Sequence, residues 1–291
     1  MVKDSEIIDA LRILADERVN QKSLSKETFG FRPYASGLFS VVFRLLSDNE
    51  MLALKCWRIR INDCKRRYQL LTDYSWTFCS NYLSPFDYID EGLCIEGRWY
   101  PILWMRWIDG IPLKTYLQRN YLNANAVELL INQFGEMCNH MFSENIAHGD
   151  MQSDNIIIDK RNNIHLLDYD SMFVPSMNHS FRDFMNGLAD YQHPARSKNI
   201  LLSKKIDYFS DVVIYLSLLA VLYKPYLVEK YLLKEASCSL LFHAYDFLDL
   251  PSSEIYSDIK AIGEPVLLQY LDYLTMCLSI PDINDLPQPI L

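Results

Sequence analysis

The segment from His148 to Ser171, HGDMQSDNIIIDKRNNIHLLDYDS, constrains the fold more than any other part of the sequence. Two short apolar runs, NIIID and IHLLD, flank the polar turn KRNN, and this pattern predicts a buried β-hairpin. Asp150 and Asn155 precede the hairpin and Asp168 ends it, so the three side chains can converge on one point. Such oxygen ligands suit a hard divalent cation such as magnesium. Asp and Asn are also common turn formers, and that simpler interpretation stays open.

The spacing of apolar residues changes from β to helical along the chain. Strand-like runs such as LFSVVFRLL and MLALKCW lie between about Arg32 and Gly110, and most of the chain after Gly110 has helical spacing. We therefore predict an α+β, bilobal fold with a small β-rich N-lobe, a larger helical C-lobe and a cleft between them. The expected boundaries are 1–28 for an N-terminal helical extension, 29–108 for the first lobe and 109–291 for the second.

The composition and net charge of the chain limit the kinds of function that it can have. Half of the 291 residues are hydrophobic, which allows a large core, and the formal net charge of -9 argues against broad nucleic-acid binding. The seven cysteines are scattered without a C-x-x-C pair, which favours a reducing, cytoplasmic location. The longest apolar run, from Val212 to Tyr223, is too short to span a bilayer. We expect neither nucleic acid nor a membrane among the partners.

Five motifs resemble, in their order along the chain, the signature set of protein kinases. ASGLFSVV is similar to the glycine-rich loop, and LALKCW to the strand that carries the phosphate-binding lysine. HGDMQSDN resembles the catalytic loop, LLDYDS the strand that ends in D-F-G, and IDYFSDVVIYLSL the buried helix whose Asp anchors the catalytic loop. The chain thus resembles the protein kinase-like superfamily, and LLDYDSMFVP with YQHPAR resembles a bacterial Ser/Thr protein kinase-like group within it.

The resemblance implies a site that uses ATP and Mg²⁺. Asp150 would accept the proton of an attacking hydroxyl, while Asn155 and Asp168 would hold the metal. Lys55 would neutralise the phosphates, and Asp207 would support the catalytic loop. The implied nucleotide contacts are Gly37, Val42, Ala53, Lys55, the gatekeeper Met105 and the backbone of Arg106, Trp107 and Ile108.

Several positions depart from the kinase pattern. Ala35 and Ser40 stand where the loop usually has glycine, which predicts weaker ATP binding. The helix after Lys55 contains no glutamate that could pair with this lysine. Asp73 is the best-spaced acid for such a pair, although a solvated place at the helix end is the preferred alternative. Gly149 stands where many regulated kinases have arginine.

Three functions are compatible with this set of residues. Transfer of phosphate to a protein Ser or Thr hydroxyl is favoured, because the implied base, both metal ligands and the lysine are all present. The same chemistry on a small-molecule hydroxyl is the first alternative, since the HGD loop is also found in aminoglycoside and choline kinase relatives. A pseudokinase that binds nucleotide or partners without transfer is the second.

Overall fold

The computed structural model describes residues 1–17, 32–47, 50–78, 81–183, 185–198, 201–234 and 237–291. The chain forms two compact units, Met1–Ile108 and Asp109–Leu291. Residues 18–28 of the predicted N-terminal extension lie outside the described residues. Among the helices in the described ranges, none is long and apolar enough to cross a membrane.

The first unit is built on a five-stranded antiparallel sheet. Its strands are β1 (Pro33–Ser36), β2 (Ser40–Ser47), β3 (Glu50–Trp57), β4 (Phe86–Ile95) and β5 (Arg98–Arg106). Their spatial order is β1-β2-β3-β5-β4. Helix α1 (Asp4–Glu17) precedes the sheet, and α2 (Cys64–Phe78) connects β3 to β4.

One face of this sheet packs against α1. Side chains alternate between the two faces of a strand, and Val41, Phe43 and Leu45 of β2 are all buried on the same face. They share a hydrophobic core with Ile7 and Leu11 of α1. The described part of the N-terminal extension is therefore integrated into the first unit.

The opposite face of the sheet packs partly against α2. The ring of Trp57 on β3 meets the ring of Tyr68 on α2 edge to face, with 5.6 Å between their centroids. Cys64, Tyr68 and Leu71 recur at helical spacing and form a buried side of α2. Edge-to-face aromatic contacts add to the free energy gained from burial, so this cluster holds α2 close to the end of β3.

The second unit is mainly helical and includes a small three-stranded sheet. Its strands are β6 (Gly110–Pro112), β7 (Ile156–Asp159) and β8 (Ile164–Leu166), in that spatial order, and its helices are α3 (Leu113–Asn120), α4 (Ala124–Ser143), α5 (Tyr208–Tyr223), α6 (Glu254–Lys260) and α7 (Pro265–Leu278). Helix α5 is buried along nearly its whole length and contacts both α4 and α7, as its continuous apolar sequence requires.

The hairpin predicted between Asn155 and Asp168 is formed by β7 and β8. Ile156 lies opposite Leu166 and Ile158 lies opposite Ile164 in an antiparallel register. The prediction of an α+β fold, with a β-rich first part and a helical second part, is confirmed by the five-stranded sheet and the helices that follow it.

Candidate functional site

The carboxylate of Asp150 is held through one of its two oxygens. Oδ2 accepts hydrogen bonds from Nε2 of Gln152 and Nδ2 of Asn155, both at 2.9 Å. Oδ1 is buried and has no hydrogen-bond partner among the described residues. A buried carboxylate oxygen without a donor is costly, and it is also the kind of atom that can accept a proton from a bound hydroxyl.

The two predicted magnesium ligands lie at the same end of the β7–β8 hairpin. The backbone C=O of Asn155 accepts a hydrogen bond from the N–H of Leu167 at 2.8 Å, directly before Asp168. Nδ2 of Asn155 also donates to the backbone C=O of Asp150 at 2.9 Å, and no described group donates to the carboxamide oxygen. Asp168 is half-buried and has left-handed backbone angles, with φ 64° and ψ 75°.

This donor set fits magnesium better than a transition metal. The described residues contain no cluster of three His, Cys, Asp or Glu side chains that could hold a metal ion. Magnesium needs no such cluster, because it usually binds one or two protein carboxylates and completes its shell with phosphates and water. The carboxamide oxygen of Asn155 and the carboxylate of Asp168 are suitable hard ligands for it.

His148 supports the loop through both nitrogens of its ring. Its side chain is fully buried, and its Nε2 lies 2.8 Å from the backbone C=O of Leu167. Its Nδ1 accepts the N–H of Asp150 at 3.3 Å. Both ring nitrogens of His148 are therefore engaged within the loop and the strand that follows it.

Gly149 is required by the backbone at its position. Its φ is +81°, in the left-handed region that favours glycine, and a Cβ there would lie 2.0 Å from the C=O oxygen of Ser171. An arginine in its place would have to displace the backbone of Ser171. The HGD sequence is thus explained by local packing alone.

Asp207 supports the backbone of the loop that leads into Asp150, as the sequence predicts. Its carboxylate accepts hydrogen bonds from the N–H groups of His148 and Gly149, the latter at 3.0 Å. Burial raises the pKa of the Asp207 carboxyl, against the opposing effects of His148 and of the Gly149 N–H. These bonds fix the backbone that leads into Asp150.

A buried ion pair is a second support that the sequence did not reveal. The guanidinium of Arg196 donates to Oδ2 of Asp183 at 2.8 Å, and the two side chains are 2% and 0% exposed. Arg196 also donates to the backbone C=O of Gly149 and to Oε1 of Gln192. The only sequence signal was the motif YQHPAR, which contains Gln192 and Arg196 but gives no hint of these partners.

In the first unit, the predicted nucleotide-binding side chains share one face of the sheet. Val42 lies opposite Lys55, and Ala53 lies opposite Met105. Directly opposite residues of antiparallel strands point to the same face, and so do residues two apart on one strand. This is the face that packs against α2, and Val42, Ala53 and Met105 remain half-buried on it.

Lys55 is buried on this face, with 7% of its surface exposed. Its Nζ lies 5.1 Å from the centroid of the Trp57 ring. A cation at this distance from an aromatic face is attracted to the ring, which helps to position the ammonium group. The lysine is therefore fixed against the end of β3 that α2 covers.

The predicted adenine-binding backbone is partly engaged in the sheet. The N–H of Trp107 donates to the C=O of Met51 at 2.9 Å. Its ring contacts the ring of Tyr34 edge to face, and the guanidinium of Arg44 lies 4.8 Å from the ring centroid. Because peptide groups alternate in direction along a strand, those of Arg106 point away from β3. Trp107 therefore supports this backbone, and its N–H is not available to a base.

The loop between β1 and β2 is closed by a hydrogen bond from the N–H of Gly37 to the C=O of Ser40, at 2.9 Å. A Cβ at Gly37 would lie 3.6 Å from the Ser40 oxygen, which is ordinary van der Waals contact. Local packing therefore does not require glycine at this position. A close approach of a phosphate to the backbone would explain it.

Asp73 does not pair with Lys55. The side chain of Asp73 is exposed on α2, and neither a hydrogen bond nor an ion pair joins these two described residues. The buried side of α2 carries Arg67 and Tyr68 instead, at 2% and 1% exposure. The solvated alternative that the sequence favoured for Asp73 agrees with this geometry.

Comparison with known proteins identifies the class to which this site belongs. A loop that presents Asp150 and Asn155, a hairpin that ends in Asp168 and a buried strand lysine are arranged along the chain as in kinase-type phosphotransferases. The family model of the protein kinase domain matches residues 35–235, which is more than half of the chain. The chain belongs to the protein kinase family. A search of the curated proteins found no match.

Proposed function

We propose that the chain is an ATP- and Mg²⁺-dependent phosphotransferase that acts on a protein Ser or Thr hydroxyl. The observation that carries the proposal is the state of the Asp150 carboxylate, with Oδ2 held by Gln152 and Asn155 and Oδ1 buried without a described partner. A residue that served only as a turn former would have its carboxylate satisfied by the turn or by solvent.

Each residue has a defined part in this chemistry. Asp150 accepts the proton of the acceptor hydroxyl on Oδ1, and its two amide neighbours keep the carboxylate in one orientation. Asn155 and Asp168 provide oxygen ligands, and the bound Mg²⁺ supplies neutralisation of the phosphate charge. Lys55 adds a second positive charge for the phosphates, and Asp207 keeps the loop rigid.

The small-molecule alternative loses its main support in this geometry. The HGD sequence suggested it, but Gly149 is required by its positive φ and by its contact with Ser171, whatever the substrate. One observation supports the pseudokinase alternative, because α2 presents no carboxylate to Lys55. It is the second candidate function. The bacterial subgroup and the cytoplasmic location stay predictions from the sequence.

One experiment separates these functions. The purified protein is incubated with γ-labelled ATP, with Mg²⁺ or with EDTA, alone and with a cell lysate whose proteins and metabolites are then separated. Label on protein Ser or Thr, present with Mg²⁺ and absent with EDTA, is the expected result. Label on metabolites supports the small-molecule function, whereas ATP binding without any transfer supports the pseudokinase. Absence of both binding and transfer in a folded sample would falsify the nucleotide site itself.

A further inference from the structure

Two buried polar atoms without partners among the described residues lie beside Gly187 in the second unit. One is Oδ1 of Asp150 and the other is Nε2 of Gln192, and neither has a hydrogen-bond partner among the described residues. Gln192 is 5% exposed, so solvent does not reach its amide freely. Leaving one such group unsatisfied is costly, so two of them beside one glycine point to a bound partner.

Gly187 lies close to both atoms. A Cβ on Gly187 would lie 2.6 Å from Nε2 of Gln192 and 3.1 Å from Oδ1 of Asp150. The residue also has a φ of +66°, which side chains rarely adopt. Both polar atoms therefore lie within 3.1 Å of one point, and a side chain at 187 would contact both of them.

The orientation of the Gln192 amide is determined by Arg196. A guanidinium can only donate hydrogen bonds, so the atom of Gln192 that contacts it must be Oε1. Arg196 is itself fixed by its buried ion pair with Asp183. The other end of the amide, Nε2, is therefore held as a donor facing Asp150.

An unpaired acceptor and an unpaired donor that lie beside the same glycine are complementary to a hydroxyl group, which both donates and accepts. We propose that Gln192 positions the hydroxyl to be phosphorylated, with the O–H donating to Oδ1 of Asp150 and the oxygen accepting from Nε2 of Gln192. The inference rests on the proposed function and adds a residue that selects the acceptor. An ammonium group such as that of lysine has no lone pair for Nε2, so the pair favours hydroxyls over amines.

Phosphate transfer from a bound ATP then involves one proton transfer, one new bond and one broken bond. The hydroxyl proton passes to Oδ1 of Asp150, and the acceptor oxygen forms a new bond to the γ-phosphorus. The bond between that phosphorus and the bridging oxygen breaks, and its electron pair leaves with ADP. Gln192 keeps its proton throughout and serves only to orient the oxygen.

Gln192→Glu is the sharpest variant, because it keeps an oxygen for Arg196 and replaces the Nε2 donor by an acceptor, which also adds a negative charge beside Asp150. We expect kcat/KM for the acceptor to fall by about ten- to hundredfold, as for a lost hydrogen bond that leaves a buried group unpaired, while KM for ATP stays within twofold. Gln269→Glu, which adds the same charge on the exposed side of α7, is the matched control and should leave both constants unchanged. Equal acceptor constants for Gln192→Glu and the parent would overturn the proposal.

A second measurement does not depend on transfer or on the variant folding. The ¹⁵N side-chain amide signals of Gln192 are followed in the native protein, with ATP analogue and Mg²⁺ present, during titration with N-acetylserinamide. We expect them to shift, and to stay unchanged with N-acetylalaninamide, which lacks the hydroxyl. A shift in a protein that transfers no phosphate would refute the enzymatic function and leave the hydroxyl site standing. If the Gln192 signals shift with neither compound in an enzyme that transfers phosphate, the proposed role of Gln192 is refuted.

Discussion

The loop around Asp150 in the second unit follows the kinase pattern closely, whereas the sheet of the first unit, which carries the proposed nucleotide contacts, departs from it. In the loop, Asp150 is held by two amides, and the backbone before it is held by Asp207 and Arg196. In the sheet, Lys55 lies over a tryptophan ring, and α2 offers it no carboxylate. The comparison leads us to expect that, in the proposed function, nucleotide binding is weaker than the ordered loop around Asp150 would suggest.

Removing the implied base should produce the largest effect and tests the second unit directly. Asp150→Ala is expected to lower phosphate transfer by about a hundred- to ten-thousandfold, the usual loss for a general base, with little change in ATP affinity. Labelled transfer and calorimetric ATP binding measure the two quantities. Asp154→Ala, which removes an exposed carboxylate from the same loop, is the control. Parent-like transfer by Asp150→Ala would mean that the loop is not the catalytic centre.

Removing the support beneath the loop should have the next largest effect. Asp207→Ala leaves the N–H groups of His148 and Gly149 buried without their acceptor, so we expect a loss of about 2–4 kcal/mol in the free energy of unfolding. Urea denaturation measures it, and Asp272→Ala at an exposed position of α7 is the control. Equal losses for the two variants would contradict the view that the loop is rigidly supported.

Removing a metal ligand should have a smaller effect that is confined to the ligand-bound state. A ligand that binds only the folded protein stabilises it by about 2.7 kcal/mol at a hundredfold excess over its Kd. Asp168→Asn is expected to remove the magnesium-dependent part of this stabilisation, since the proposed metal ligand is lost. Thermal melts with ATP and either Mg²⁺ or EDTA give the comparison. A variant that responds to the metal as the parent does would exclude Asp168 as a ligand.

Much of the fold could be predicted from the sequence, because period-two and helical spacing report directly on buried faces. The hairpin between Asn155 and Asp168 is an example, since two short apolar runs that flank a polar turn favour paired strands over a helix. The contacts of the site were harder to predict because they join distant residues. Arg196 donates to the C=O of Gly149, which lies 47 positions earlier, and no local sequence pattern predicts such a bond.

Register and helix rotation account for two further limits. The bond from the Trp107 N–H to Met51 depends on how β5 pairs with β3, and pairing is not visible in either strand alone. Asp73 has the right distance along the sequence from Lys55, but this distance does not say which side of α2 it occupies. The pairing of β5 with β3 determines the partner of the Trp107 N–H. The packing of Tyr68 against Trp57 determines which side of α2 is buried, and Asp73 lies on the exposed side.

The smallest expected effect concerns Asp73 and tests the first unit. Because this side chain is exposed and does not contact Lys55, Asp73→Asn should change stability by no more than about 0.5 kcal/mol and leave transfer within twofold of the parent. Lys55→Met, by contrast, removes a buried charge on the face that carries the proposed nucleotide contacts, and should reduce ATP binding and transfer together. If instead Asp73→Asn reduced transfer as much as Lys55→Met, and the double variant lost little more, the two residues would act as a coupled pair. That outcome would require α2 to rotate Asp73 towards β3 when nucleotide binds, and the first unit would then follow the kinase pattern as closely as the second.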